Sequence, residues 1–144
     1  MGNYRDIARE QLKFDEGVKT QAYKDSEGLL TIGVGRLIDP SIKGSGLSPY
    51  EINVLLENDL VKAENDAKIL FPSFDKLSDV RKSVLINMAF NLGRSRLEGF
   101  KNFKAAVEAG KFHIAAEEML SSRWAQQVGK RAERLAHQML TDKA

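Results

Sequence analysis

The segment Asp79 to Leu92 limits the fold more than any other part of the chain. Val80, Val84, Leu85, Ile86, Met88, Ala89, Phe90 and Leu92 fall within it, and on a helix they cover most of the circumference. A helix without a polar face cannot lie on a surface, so other helices must enclose it. Ser78 stands before it as an N-cap and Gly93 after it as a stop.

The rest of the chain supplies that enclosure. Tyr4, Ile7, Ala8 and Leu12 repeat at helical spacing up to Glu16, and Gly17 follows at the glycine-favoured C′ position. Ser48-Pro49-Tyr50-Glu51 reads as N-cap, N1 proline and capping-box glutamate. The helix it starts runs without a breaker from Pro49 to about Leu70, roughly 30 Å at about 1.5 Å per residue. Shorter helices are expected around Leu97 to Ala109, Phe112 to Leu120 and Arg131 to Leu140. Between the first two helices lies a hairpin pattern: Gln21 to Lys24, a turn at Asp25-Ser26-Glu27-Gly28, and a strand from Leu29 to Leu37. Gly33 and Gly35 weaken that strand unless a backbone or ligand must approach closely. The expected class is α+β and mostly α-helical: one domain over 1–144. It would have a small β-containing lobe near 13–48, a connecting helix near 49–70, and a larger helical lobe made of 72–144 plus 1–12.

Composition narrows the chemistry. No cysteine is present and the two histidines, His113 and His137, stand far apart, so neither disulfides nor a metal centre is expected. No apolar run is long enough to span a bilayer, and MGNYRDIARE lacks the apolar stretch of a signal peptide; synthesis in a reducing cytosol and no stable membrane insertion are expected. Charge is uneven. Residues 1–79 hold 10 Lys and Arg against 14 Asp and Glu, net −4, whereas residues 80–144 hold 12 against 6, net +6. The basic half suits an anionic polymer or is simply a solvated face. Nothing in it matches a nucleic-acid recognition pattern, so no nucleic-acid partner is expected.

Glu16 and Asp25 form a pair with chemical possibilities. Glycosidic hydrolysis needs one carboxylic acid that protonates the leaving oxygen and a second, ionised carboxylate on the opposite side. Glu16 stands at a helix C-terminus, where the dipole disfavours a charged carboxylate. Asp25 begins a polar turn with donors and solvent that keep it ionised, and Thr31 adds a hydroxyl able to hold a water. Two acids at this spacing are equally compatible with an ordinary turn. Gly33-Val34-Gly35 lacks the further residues of a phosphate-binding loop.

Asp15-Glu16-Gly17, Tyr23-Lys24-Asp25, Glu27-Gly28 and Thr31-Ile32-Gly33-Val34-Gly35 together resemble the active-site segment of the T4-type lysozymes, the phage muramidase family. The likeness continues through Val84 to Gly93, Ser122-Arg123-Trp124 and Lys130-Arg131-Ala132-Glu133-Arg134, and so covers nearly the whole chain. It implies that Glu16 is the general acid, that Asp25 assists the attacking water and that Thr31 helps to place it. It implies inversion at the anomeric carbon, hence a carboxyl separation of roughly 6.5 to 9.5 Å. It also implies that Arg131 pairs with Glu16 across the cleft, and that Leu37 and Phe90 line the sugar groove, although Phe90 fits an apolar core equally well. Position 36 departs from the family's best-known member, which has a histidine there. Here Arg36 is expected to pair with Asp59, without a titration of its own in the useful range. Two further groove positions have changed, to Phe103 and Glu118, and the segment between Arg36 and Ser48 is shorter. Trp124 and the basic, amphipathic stretch around Arg134 to Leu140 are expected to pack in the core rather than to meet substrate or membrane.

The function implied is hydrolysis of the β-1,4 bond between N-acetylmuramic acid and N-acetylglucosamine in bacterial peptidoglycan, by a monomer without cofactor. The chain would be a phage endolysin made in the host cytoplasm, reaching the wall through a holin-type pore. The competing reading is an inactive wall-binding or tail-associated module.

Overall fold

The computed structural model describes residues 2–24, 30–37 and 47–144, with the backbone alone for Leu30, Arg36 and Leu37. The expected turn at 25–28 and all but the last residue of the loop expected over 39–47 lie outside the described residues. Helix α1 (Tyr4–Glu16) leads into a three-stranded antiparallel sheet of β1 (Lys19–Lys24), β2 (Leu30–Gly33) and β3 (Arg36–Leu37), in that order. Helices α2 (Pro49–Leu70), α3 (Asp79–Leu92), α4 (Arg94–Glu98), α5 (Lys101–Glu108), α6 (Phe112–Leu120), α7 (Arg123–Val128) and α8 (Lys130–Thr141) follow. The class is α+β and mostly helical, as expected. No helix of the described residues is long and apolar enough to cross a membrane.

Local chemistry explains the helix ends. The Asn3 side chain accepts hydrogen bonds from the Arg5 and Asp6 amides at the start of α1. Gly17 ends it at φ 75°, a left-handed value that suits glycine. Ser48 and Glu51 form the reciprocal capping box of α2, and the Ser78 hydroxyl accepts from the Arg81 amide to start α3.

As its sequence requires, α3 is the centre of the helical body. Val84, Leu85, Ile86, Met88 and Ala89 are buried, with α1, α2, α4 and α8 packed around them. Two polar residues, Ser83 and Asn87, are buried on the same helix. Ser83 donates to the Val80 carbonyl at 2.6 Å; Asn87 serves the site described below. Helix α8 packs on α6 and α3 through Ala132, Leu135, Ala136 and Met139, which agrees with a closing helix rather than a membrane-surface one.

Three expectations need correction. The strand from Leu29 to Leu37 is two strands: Ile32 pairs with Arg36, and the chain reverses between them with Gly33 at φ 70° and Gly35 at φ 68°. The helix around Leu97 to Ala109 is divided at Gly99 and Phe100, and Phe100 turns inward to meet Phe103 and Trp124 edge-on, at centroid distances of 6.4 Å each. Helix α7 was not expected at all. It is six residues long, capped by the Ser122 hydroxyl, which accepts from the Ala125 amide.

Helix α1 is held along α2 by polar contacts at its N-terminal half. Arg9 Nε donates to Glu57 at 2.6 Å, Arg5 Nη2 reaches the same carboxylate at 3.2 Å, and the Tyr4 hydroxyl donates to Glu64, which Lys68 also meets at 3.2 Å. Burial, with the hydrogen bond to Glu64 second, pushes the Tyr4 phenol up to about 12. Because the folded value exceeds the ordinary one near 10, the stability this tyrosine adds is present below that pH and disappears as pH rises through about 12. Tyr4→Phe is therefore expected to cost about 1 kcal/mol at pH 8, with the gap closing between pH 10 and 12. Urea unfolding across this range checks it; a gap that widens with pH would contradict the assignment.

Candidate active site

A cleft of about 1090 Å³ opens between the sheet, α2 and the helical body. The last turn of α1 delivers Glu16 to it, because Gly17 and Val18 alone separate that helix from β1. The Tyr23 hydroxyl donates to the Glu16 carbonyl at 3.3 Å, satisfying one of the carbonyls left open at the helix end. Thr31, buried on β2 opposite Tyr23, also lines the cleft. So do half-buried Phe90 near the end of α3 and half-buried Asp59 on α2.

The turn between β2 and β3 presses on the same carboxylate. A Cβ at Gly35 would stand 2.7 Å from Glu16 Cγ and nearer still to its carboxyl group. That approach, together with the positive φ, admits only glycine. The two glycines that weakened the expected strand are thus explained, one by the turn and the other by Glu16.

Arg131 at the start of α8 donates through Nη1 to Glu16 Oε1 at 2.5 Å. Its other donors are occupied below the cleft: Nη2 meets Asn87 Oδ1 at 2.8 Å, and Nε is shared between Asn87 Oδ1 and Asp15 Oδ2, both at 3.1 Å. Asn87 turns its amide N–H groups the other way, to Asp15 at 3.2 Å and to Gln11 at 3.3 Å. Arg134 closes on the second oxygen of Asp15. The Asp15 side chain is 2% exposed and that of Arg131 9%, against 18% for Glu16. The outcome is a charge cluster in which Asp15 is nearly enclosed and Glu16 is the more exposed of two carboxylates at the cleft wall.

The structure accordingly brings Glu16, Thr31, Phe90, Asp59 and Arg131 to one cleft. Asp25 lies outside the described residues, as do the side chains of Leu37 and Arg36, so the pairing of Arg36 with Asp59 does too. Phe103 is buried and lines not the cleft but a smaller cavity beside it, which Glu118 also lines. It is 1% exposed and packs edge-on against Phe71 at 5.8 Å. Trp124 is buried as expected, yet it reaches the cleft wall, where its indole N–H donates to Asn91 at 2.7 Å. Sequence reasoning missed the roles of Asp15, Asn87 and Arg134. The available signal was Asn87, an amide within the otherwise apolar run from Val84 to Phe90. No group of side chains suited to a metal ion occurs among the described residues.

Removing one member of a buried ion pair leaves its partner desolvated and uncompensated. Arg131→Met is expected to destabilise the fold by roughly 3 kcal/mol, measured by denaturant unfolding. A loss below about 0.5 kcal/mol, as for an exposed pair, would show that the cluster does not hold α1 to α8.

Comparison with known proteins bears on the same residues. The chain matches the phage lysozyme family over residues 13–139. It is 32% identical over 152 residues to a probable T4-type lysozyme of Dictyostelium discoideum, covering 88% of this chain and 89% of that one. It is 32% identical over 111 residues to the endolysin of Salmonella phage P22, covering 69% and 75% respectively. It is also 30% identical over 156 residues to the pre-baseplate central spike protein Gp5 of Enterobacteria phage T4, covering 92% of this chain but 27% of that protein. On these matches, and with Glu16 and Arg131 joined across the cleft, the chain belongs to the phage lysozyme family.

Proposed function

We propose that this chain is a muramidase that hydrolyses the β-1,4 bond between N-acetylmuramic acid and N-acetylglucosamine in peptidoglycan. The observation that carries the reading is the position of Glu16. It is fixed by a helix end, a glycine turn and Arg131, with its carboxylate at the edge of a cleft large enough for several sugar units. Glu16 is the general acid. A glycan in the cleft meets its carboxyl group beside Arg131, where the proton can pass to the leaving oxygen. Asp25 directs the attacking water, and Thr31 holds that water against β2. Phe90 and Leu37 line the sugar groove, Phe90 offering an apolar face to a sugar ring, and Arg36 pairs with Asp59. In this reading residues 13–48 and the helical body form two lobes joined by α2, the protein acts as a monomer without cofactor, and it reaches the wall from the host cytoplasm through a holin-type pore.

The test is loss of turbidity in a suspension of exposed cell walls. Glu16→Gln keeps the shape of the side chain and removes its acid, so clearing is expected to slow about a thousandfold; unchanged clearing would remove Glu16 from the mechanism. For an inverting reaction the β-linked glycan releases α product first. NMR of the first-formed reducing end checks this, and an initial β anomer would instead require a covalent intermediate.

The similarity to part of a central spike protein supports a second reading, a tail-associated wall module. Wall binding by the intact chain without release of reducing ends would favour it.

A further inference from the structure

The arginines of the described residues fall into two groups. Arg5, Arg9, Arg81, Arg131 and Arg134 each hold a carboxylate. Arg94, Arg96 and Arg123 are exposed and pair with no carboxylate of the described residues. All three of the second group line cavities. Arg94 and Arg96 project from α4 into the wall of the cleft, and Arg96 and Arg123 line an adjoining cavity of about 310 Å³. Arg96, Trp124 and Gln127 line both, so the two spaces meet there. Arg96 donates to Gln127 Oε1 at 3.3 Å, which uses one of its five N–H donors.

Charge separates the two spaces. The cleft is lined by Asp15, Glu16, Asp59, Asp66 and Glu98 as well as by cations, whereas the adjoining cavity has Arg96, Lys101 and Arg123 against Glu118 alone. A guanidinium is weakly hydrated and presents a planar fork that matches carboxylate or phosphate oxygens. Three guanidinium groups without a carboxylate among the described residues, one on the cleft, one on the side cavity and Arg96 on both, make a site for an anion brought by something else.

We propose that Arg94, Arg96 and Arg123 recognise an anionic substituent, carboxylate or phosphate, that the glycan carries to one side of the bond to be cut. The inference rests on the hydrolase reading of the cleft. The substituent lies beside Trp124, where the cleft meets the smaller cavity, with Arg94 on the cleft side, Arg123 on the cavity side and Arg96 between; the sugars lie against Glu16, so these arginines act on substrate affinity and not on the chemical step.

The test compares the parent chain, an Arg94→Gln/Arg96→Gln/Arg123→Gln variant, and a charge-matched control with the exposed residues Lys76, Lys111 and Lys143 changed to Gln. The substrates are purified wall bearing both peptide carboxylates and phosphate polymer, the same wall after hydrofluoric acid has removed the phosphate, and the same wall with its carboxylates converted to amides. The arginine variant is expected to raise KM on intact wall about tenfold, with kcat within about twofold and a flatter dependence on salt; the lysine control is expected to match the parent. Loss of the difference on amidated wall assigns the anion as a carboxylate, and loss after hydrofluoric acid assigns it as a phosphate. Equal KM and salt dependence in the arginine variant and the control would overturn the proposal, as would a difference that survives both treatments. Co-sedimentation with wall in a Glu16→Gln background separates this proposal from the one it rests on. Arginine-dependent retention supports it even if the parent chain hydrolyses nothing, and equal retention with and without the arginines overturns it even if the parent is active.

Discussion

The ion pair between Asp15 and Arg131 is the contact on which the rest depends. It joins residues 116 positions apart in the chain, and everything near the cleft is arranged from it. Neither charge could be buried alone, because desolvation would cost several kcal/mol per ion. Together they are tolerable only if their remaining donors and acceptors are filled. Asn87 and Arg134 do that filling, and so α1, α3 and α8 are brought to one arrangement. An apolar contact would hold the three helices together with less demand on register. The charged one gives the guanidinium of Arg131 a fixed orientation, and with it a fixed reach to Glu16.

Much of the fold was legible because helix boundaries are local chemistry. Ser48, Ser78, Gly17 and Gly93 each act within a turn of where they stand, and the apolar circumference of α3 required a helical surround. The failures were local ambiguities that only packing resolves. A glycine in a strand marks a turn, a bulge or a close approach alike, so Gly33 and Gly35 did not by themselves disclose that the strand reverses between them. Helix α7 has less than two turns and shows no periodicity to read. Gly99 gave no sign that Phe100 would turn into the core and divide a helix.

The site was legible in a different way. The place of Glu16 at a helix end was readable from local spacing, but its partner was not: no pattern of spacing links Glu16 to Arg131, 115 residues away, and the pairing came from resemblance. Beneath it, Asp15 and Arg134 looked like ordinary charged residues because charge on a helix is usually solvated. Phe103 shows the opposite limit. Its position belongs to the groove by resemblance, yet a large aromatic there is taken into the core beside Phe71.

The short connection from α1 to β1 has a mechanical consequence. Gly17 and Val18 are the whole link between helix and sheet, and two residues span no more than about 7 Å. The start of β1 therefore stays within that reach of the end of α1. Glu16 immediately precedes the link, held by Arg131 from the helical side. Phe90 and Arg94 line the cleft from α3 and α4, which have no such short tether to the sheet. The carboxyl group is thus tied to both sides at once, by two residues of backbone to the sheet and by a guanidinium to the helical body.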